Sequence, residues 1–176
     1  MEPLTDQQWA ELLRGCQRSA WHLETRDSYG VDDEKGRLAR FVATGRRDHA
    51  AEAAERAPWL ELIRAVTRAG VRVRRARIVC EPVSDYMRFS YAGSQPNIDA
   101  GEDIRWLPRR QASRIALPGN DFWLLDRQRV LFNYFTGGGR SAGHELATDA
   151  GAVRLCEAAF QAVWAVAIPH DQYQVS

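Results

Sequence analysis

Val71-Arg72-Val73-Arg74-Arg75-Ala76-Arg77-Ile78-Val79-Cys80 begins by alternating apolar and basic residues and ends as a nearly continuous apolar run. A strand that enters a sheet from a solvated end and then becomes buried has this pattern. Glu81-Pro82 stops it, because proline brings no N–H to the ladder. Upstream, Pro58 stands at a favoured first-turn position, Leu60, Ile63 and Val66 recur at helical spacing, and Gly70 ends the helix just before the strand. The order helix, glycine, strand is an α/β signature. The chain leaves the sheet at the carboxyl end of this strand, where ligands bind in open α/β sheets, so Glu81, Ser84, Asp85 and Tyr86 become candidates for function.

Working outward, Asp103-Ile104-Arg105-Trp106-Leu107 reads as a second strand, ended by Pro108. Phe122-Trp123-Leu124-Leu125 and Val130-Leu131-Phe132-Asn133-Tyr134-Phe135 read as a hairpin joined through Asp126-Arg127-Gln128-Arg129. Near the start, Thr5 and Gln8 form a capping box for a helix with Trp9, Leu12, Leu13 and Cys16 on one face. Ala20 to Thr25 then alternates as a strand, with Trp21, Leu23 and Thr25 on one side and His22 and Glu24 on the other. Asp32 or Asp33 can cap a helix that Gly45 ends. Arg46 to Ala57 reads as a partly ordered connection. Ser84 caps a short helix that Ala92 to Asn97 breaks, and Thr136 to Ser141 reads as a mobile, glycine-rich linker. Thr148 or Asp149 caps a last long helix carrying Val153, Cys156, Phe160, Val163 and Trp164 on one face. Pro169 stops it, ahead of a frayed tail. The expected fold is a single α/β domain over 1–176, a mixed sheet with a C-terminal hairpin flanked by helices.

Composition narrows the chemistry. At 45% hydrophobic and 27% charged residues the chain is an ordinary globular sequence. No apolar run approaches the roughly 18 to 20 residues of a membrane span. An acidic N-terminus without a signal-peptide pattern points to a cytoplasmic protein. Cys16, Cys80 and Cys156 are odd in number and lack CxxC spacing, so they are expected as buried reduced thiols. The basic side is arginine apart from Lys35, with net charge +1. It is locally uneven: Arg64, Arg68, Arg72, Arg74, Arg75 and Arg77 fall between Glu61 and Glu81 with no acid among them.

No HExxH, GxSxG, GxGxxG or Walker A pattern occurs, and His22, His49, His144 and His170 have no metal-ligand spacing, so no metal and no cofactor is expected. His144-Glu145 is expected at the solvent-exposed surface. What remains is carboxylates and arginines at strand ends. Arg77, Glu81, Ser84, Tyr86, Arg88, Glu102, Arg105, Asp121 and Asp126 form the candidate ligand-binding set, because a guanidinium fork grips phosphate or carboxylate through two hydrogen bonds.

Four blocks resemble the signature of an uncharacterised domain family common in streptomycetes and related actinobacteria. They are Leu23-Glu24-Thr25-Arg26-Asp27-Ser28-Tyr29, Arg77 to Tyr86, Ala100-Gly101-Glu102-Asp103-Ile104-Arg105, and Asp121-Phe122-Trp123-Leu124-Leu125-Asp126. Members of that family are often encoded beside helix-turn-helix regulators, so the resemblance implies a regulatory or toxin-and-antitoxin-like pairing. The element order is also similar to one half of the phospholipase D fold. That fold's catalytic signature, a His and a Lys two apart with an Asp further on, is missing here, and this implies a catalytically empty relative.

Three functions follow as expectations. The first is a non-enzymatic regulatory or binding module that pairs with a helix-turn-helix regulator through an aromatic-rich surface, with a small anionic ligand held by Arg77 and Arg105. The second is a hydrolase or toxin acting on a phosphorylated substrate, with Glu81, Asp121 or Asp126 as acid or base. The third is nucleic-acid binding by the arginine clusters, with Arg72 and Arg74 as the residues to remove.

Overall fold

The computed structural model describes residues 4–30 and 34–176. In it, β2 (Arg72–Val79) lies inside one mixed sheet of seven strands, in the order β6-β5-β4-β1-β2-β3-β7. β1 (Ser19–Glu24), β2 and β3 (Asp103–Pro108) are parallel, whereas β4 (Asp121–Leu125), β5 (Arg129–Phe135) and β6 (Ser141–Ala147) run antiparallel beside β1. β7 (Ile168–Pro169) closes the other edge. The expected mixed α/β sheet with its hairpin is therefore the fold, and Asp126 and Arg127 turn the hairpin at φ 53° and 60°.

Strand alternation divides the core in two. One face carries Trp21, Leu23, Ala76, Ile78, Phe122 and Leu124 under α6 (Ala150–Val166), which Asp149 caps by accepting from the Ala152 amide. The other carries Ala20, Val73, Trp123, Leu125 and Leu131 under α1 (Asp6–Arg14) and α3 (His49–Arg68). Further along that second face, Val79, Ile104 and Trp106 pack with Met87 of α4 (Asp85–Ala92) and with Tyr173. The capping box at Thr5 and the Ser84 cap of α4 form as the sequence indicates. α2 (Lys35–Thr44) ends at Gly45 with φ 68°, while its expected caps Asp32 and Asp33 lie outside the described residues.

Several segments differ from expectation. Arg46 to Ala57 is no loose connection. Asp48 caps Ala51, the Arg47 guanidinium pairs with Glu52, and the alanine-rich run continues as helix straight through Pro58. Residues 95–99 form a further short helix, α5 (Gln95–Asp99), where a break was expected. Thr136 to Arg140 is a hairpin turn closed by the Thr136 amide on the Arg140 carbonyl at 2.8 Å and pinned by the Gly30 amide on the Gly139 carbonyl at 2.9 Å. The strand after it, β6, places His144 half-buried against Trp9, where its Nδ1 accepts from the Leu4 amide at 3.0 Å. Cys80 is exposed rather than buried, because it lies past the end of β2. The tail is packed too, with Tyr173 at 4% exposure stacked on Trp106. Among the described residues no helix is long and apolar enough to cross a membrane.

Candidate functional site

On the face that α1, α3 and α4 cover, β1 and β2 bring together four ionisable side chains where a core would otherwise be apolar. His22 stands in register with Arg75, and Glu24 with Arg77, on adjacent parallel strands. Residues two apart on a strand share a face, so all four side chains meet in one row. Arg75 donates through Nη1 to Glu24 at 2.7 Å and through Nε to Glu102 at 2.7 Å. Glu102, 2% exposed, also accepts from Asn97 at 2.7 Å, and Asn97 in turn accepts from Arg56 at 2.7 Å. Arg77 Nε lies 2.6 Å from the second Glu24 oxygen but off the line of its N–H bond, so this contact is an ion pair rather than an aligned hydrogen bond.

The electrostatics follow from this geometry. Burial alone would raise the Glu24 pKa, but Arg77 and Arg75 outweigh it and hold the carboxyl at about 2. Burial likewise works against the Arg75 charge, yet Glu102 and Glu24 raise its pKa overall. His22 has its ring stacked on Trp123 at 4.3 Å, and burial lowers it to about 3, so it is neutral at physiological pH. Two carboxylates and two guanidinium groups thus neutralise one another inside the domain. Burying such a set is costly, and removing one member leaves its partner's charge unpaired, at roughly 3–5 kcal/mol.

Beside this row, Asp121 is 2% exposed and accepts from the Thr25 amide at 2.9 Å, from the Thr25 hydroxyl at 2.6 Å and from the Tyr29 hydroxyl. Burial raises its pKa against those hydrogen bonds. Tyr86 donates to Glu34 at 2.8 Å, and burial followed by the Glu34 charge raises its phenol.

The nine residues singled out from sequence therefore divide. Arg77, Tyr86, Glu102 and Asp121 belong to or border the buried row. Glu81 and Ser84 lie at its rim: Glu81 accepts from the Tyr173 hydroxyl at 3.1 Å, and Ser84 donates to the Asp27 carbonyl at 2.6 Å while capping α4. Arg88 is exposed, with Asp85 3.5 Å away. Arg105 points to the opposite face of the sheet, over the Trp164 ring at 4.3 Å. Asp126 sits at the other end of the strands, where it accepts from the Gln17, Arg18 and Ser19 amides at 2.7–3.1 Å. Those amides lower its pKa against the effect of burial. Its role is to tie the hairpin turn to the start of β1.

His22, Glu24, Arg75, Asn97 and Tyr29 carry the arrangement and were absent from the sequence-derived set. A signal for the first three exists. His-x-Glu on one strand and Arg-x-Arg on the next are complementary once the strands pair, but the register that pairs them is a tertiary fact.

The comparisons with known proteins are consistent with this fold. A family model described as a domain of unknown function (DUF6879) matches residues 7–175. No curated protein matches the sequence. Among solved structures the chain is similar to Nuc from Salmonella typhimurium, a phospholipase D family member, with 10% identity, a TM-score of 0.52, and coverage of 91% of this chain and 86% of that one. It is also similar to TrmBL2, described as an archaeal chromatin protein that shows a novel mode of DNA binding, with 14% identity, a TM-score of 0.48, and coverage of 90% of this chain and 48% of that one. At such identities the likeness to Nuc is one of fold.

Proposed function

The chain belongs to the DUF6879 family of domains of unknown function, and from that premise we propose that it is a non-enzymatic regulatory or binding module that works by pairing with another protein. The observation that carries this reading is the self-neutralised row His22, Glu24, Arg75, Arg77 and Glu102. Its carboxylates and Arg75 are already committed to one another, and its histidine is neutral, stacked and buried. An acid–base catalyst needs a group with a pKa near working pH and a path to substrate, whereas this row serves to fix β1 against β2 and β3.

The partner expected from the resemblance, a helix-turn-helix regulator in an actinobacterial setting, remains the partner proposed. The surface differs from the expected aromatic one. The tryptophans and tyrosines are buried or half-buried, and among the described residues the exposed large apolar side chains are Val42, Leu146, Leu155 and Val166. Leu146 lies on β6, an edge strand of the sheet, and an edge strand is where a partner can add a strand. The anionic-ligand reading has less support, because Arg77 and Arg105 face opposite sides of the sheet.

Affinity capture from nuclease-treated native lysate tests the proposal. The expected result is one helix-turn-helix protein in near-stoichiometric amount, lost with Leu146→Glu, and no hydrolysis of a phosphodiester substrate above buffer. Retention of a phosphorylated small molecule without a protein partner, or turnover abolished by Asp121→Asn, would overturn it.

A further inference from the structure

The arginines are segregated along the strand axis. At the carboxyl ends of β2 and β3, Arg77, Arg88, Arg109 and Arg110 each lie within 4.0 Å of a carboxylate, on Glu24, Asp85, Asp27 and Glu81 respectively. At the amino ends of β1 and β2 the situation reverses. Arg18 precedes β1 and Arg72 opens β2, and the two are joined by the Arg72 amide on the Arg18 carbonyl at 3.0 Å. Arg129 opens β5 on the far side of β4, while α1 and α3 deliver Arg14 and Arg68 from their last turns to the same end. By strand alternation Arg72 leaves on the α6 face and Arg129 on the α1 and α3 face, so the cluster follows the end of the sheet rather than one of its faces. Arg14, Arg18, Arg68 and Arg72 are exposed and Arg129 half-buried. Among the described residues none of the five has a carboxylate within 4.0 Å.

The acids at this end are occupied. Asp126 is taken up by three main-chain amides and also feels the nearby Arg129 charge, Glu157 pairs with Arg127, and Asp103 leans towards Arg105. Arg14 and Arg68 have an internal use, complementing the carboxyl ends of their helices. Arg18 and Arg72 have none. Arg74, by contrast, is engaged by the Trp164 ring at 4.9 Å and does not belong to this edge.

We propose that this row, Arg14, Arg18, Arg68, Arg72 and Arg129, is a docking surface for the phosphate backbone of duplex nucleic acid. From β5 across β4 and β1 to β2 is three strand spacings, about 14 Å, a length over which a duplex presents roughly eight negative charges. Guanidinium forks grip phosphate oxygens in pairs. A membrane surface fits less well, since the segments between these arginines contribute Gly15, Gln17, Gly70 and Gln128 and no large apolar side chain to insert. The contact reads charge rather than sequence, and it is independent of the protein partner proposed above.

Fluorescence anisotropy with a labelled duplex of about 20 base pairs and arbitrary sequence tests this. Binding is expected at low salt and should weaken by about two to three orders of magnitude between roughly 50 and 200 mM salt, as five phosphate contacts require. The Arg18→Ala/Arg72→Ala variant should weaken binding at least about tenfold and lower the slope of log affinity against log salt by about 2. Both side chains are exposed and, among the described residues, unpaired, so the circular dichroism of this variant should match that of the unchanged protein. Arg110→Ala/Arg114→Ala removes the same charge from the opposite end and should leave affinity within about twofold. No binding at low salt, equal losses in the two double variants, or capture by phosphatidylserine vesicles in place of the duplex would each overturn the proposal.

Discussion

His22 is held between the Trp123 ring at 4.3 Å and Glu24 at 3.5 Å, and burial takes its pKa from 6.5 to about 3. Because the folded value lies below the unfolded one, the unfolded chain takes up the proton first, and stability is lost as pH falls from about 6.5 towards 3. Glu24 acts in the same direction lower down. Its folded pKa of about 2 against 4.5 gives a contribution present above pH 4.5 and lost between 4.5 and 2. Asp121 opposes both, since its raised pKa gives stability that is present below 3.8 and lost as pH rises. Between pH 6.5 and 4.5 the slope from His22 is about 1.4 kcal/mol per pH unit, added to smaller effects of His144 and His170, which burial also lowers. For His22→Asn the loss of unfolding free energy across that interval, measured by urea titration at each pH, is expected to shrink by about 2–3 kcal/mol. An unchanged pH dependence would refute the buried neutral state. Sequence alternation put His22 and Glu24 on one face correctly. That this face is buried could not be read, because the covering comes from helices distant in sequence.

α3 is where local signals and tertiary context conflict most. Pro58 lies in the helix interior, where it removes one N–H and crowds the carbonyl of Ala54. The helix survives because Leu60, Leu62, Ile63 and Val66 are buried behind the proline, and Glu52 is fixed by Arg47 ahead of it. Pro58→Ala should therefore raise the unfolding free energy by about 1–3 kcal/mol, seen as a higher urea midpoint. A lower midpoint would mean that the bend itself sets the packing of α3 on the sheet. Proline at a helix start is the better reading from sequence alone, and it hid the first nine residues of the helix, His49 to Ala57. β6 was hidden for a different reason: Ser141-Ala142-Gly143-His144-Glu145-Leu146-Ala147 contains no β-branched residue, so only its ladder with β5 makes it a strand. By contrast β2, β3 and the β4–β5 hairpin were legible, since each combines apolar patterning with a turn or proline stop.

Across the whole molecule, β1 is the wall shared by the two larger core clusters and the buried ionic row. Its Trp21 and Leu23 face α6, its Ala20 faces α1 and α3, and its Glu24 reaches β2 and, through Arg75, Glu102 at the start of β3. The tail closes the remaining side, where β7 pairs with β3, the Trp106 indole donates to His170 at 3.1 Å, and Tyr173 stacks on Trp106 at 5.6 Å. Opening β1 from β2 would then expose apolar surface on both faces and unpair the buried charges. A single cooperative unit should unfold as one transition. The tryptophans make this directly measurable, because Trp21, Trp123 and Trp106 lie in three different clusters of the core. Urea unfolding followed by tryptophan fluorescence and by far-ultraviolet circular dichroism should give coincident curves with one midpoint and one slope. An earlier fluorescence transition would instead assign Trp106 and the tail to a separately melting unit, and the protein would then hold its C-terminal edge less firmly than the buried row at its centre.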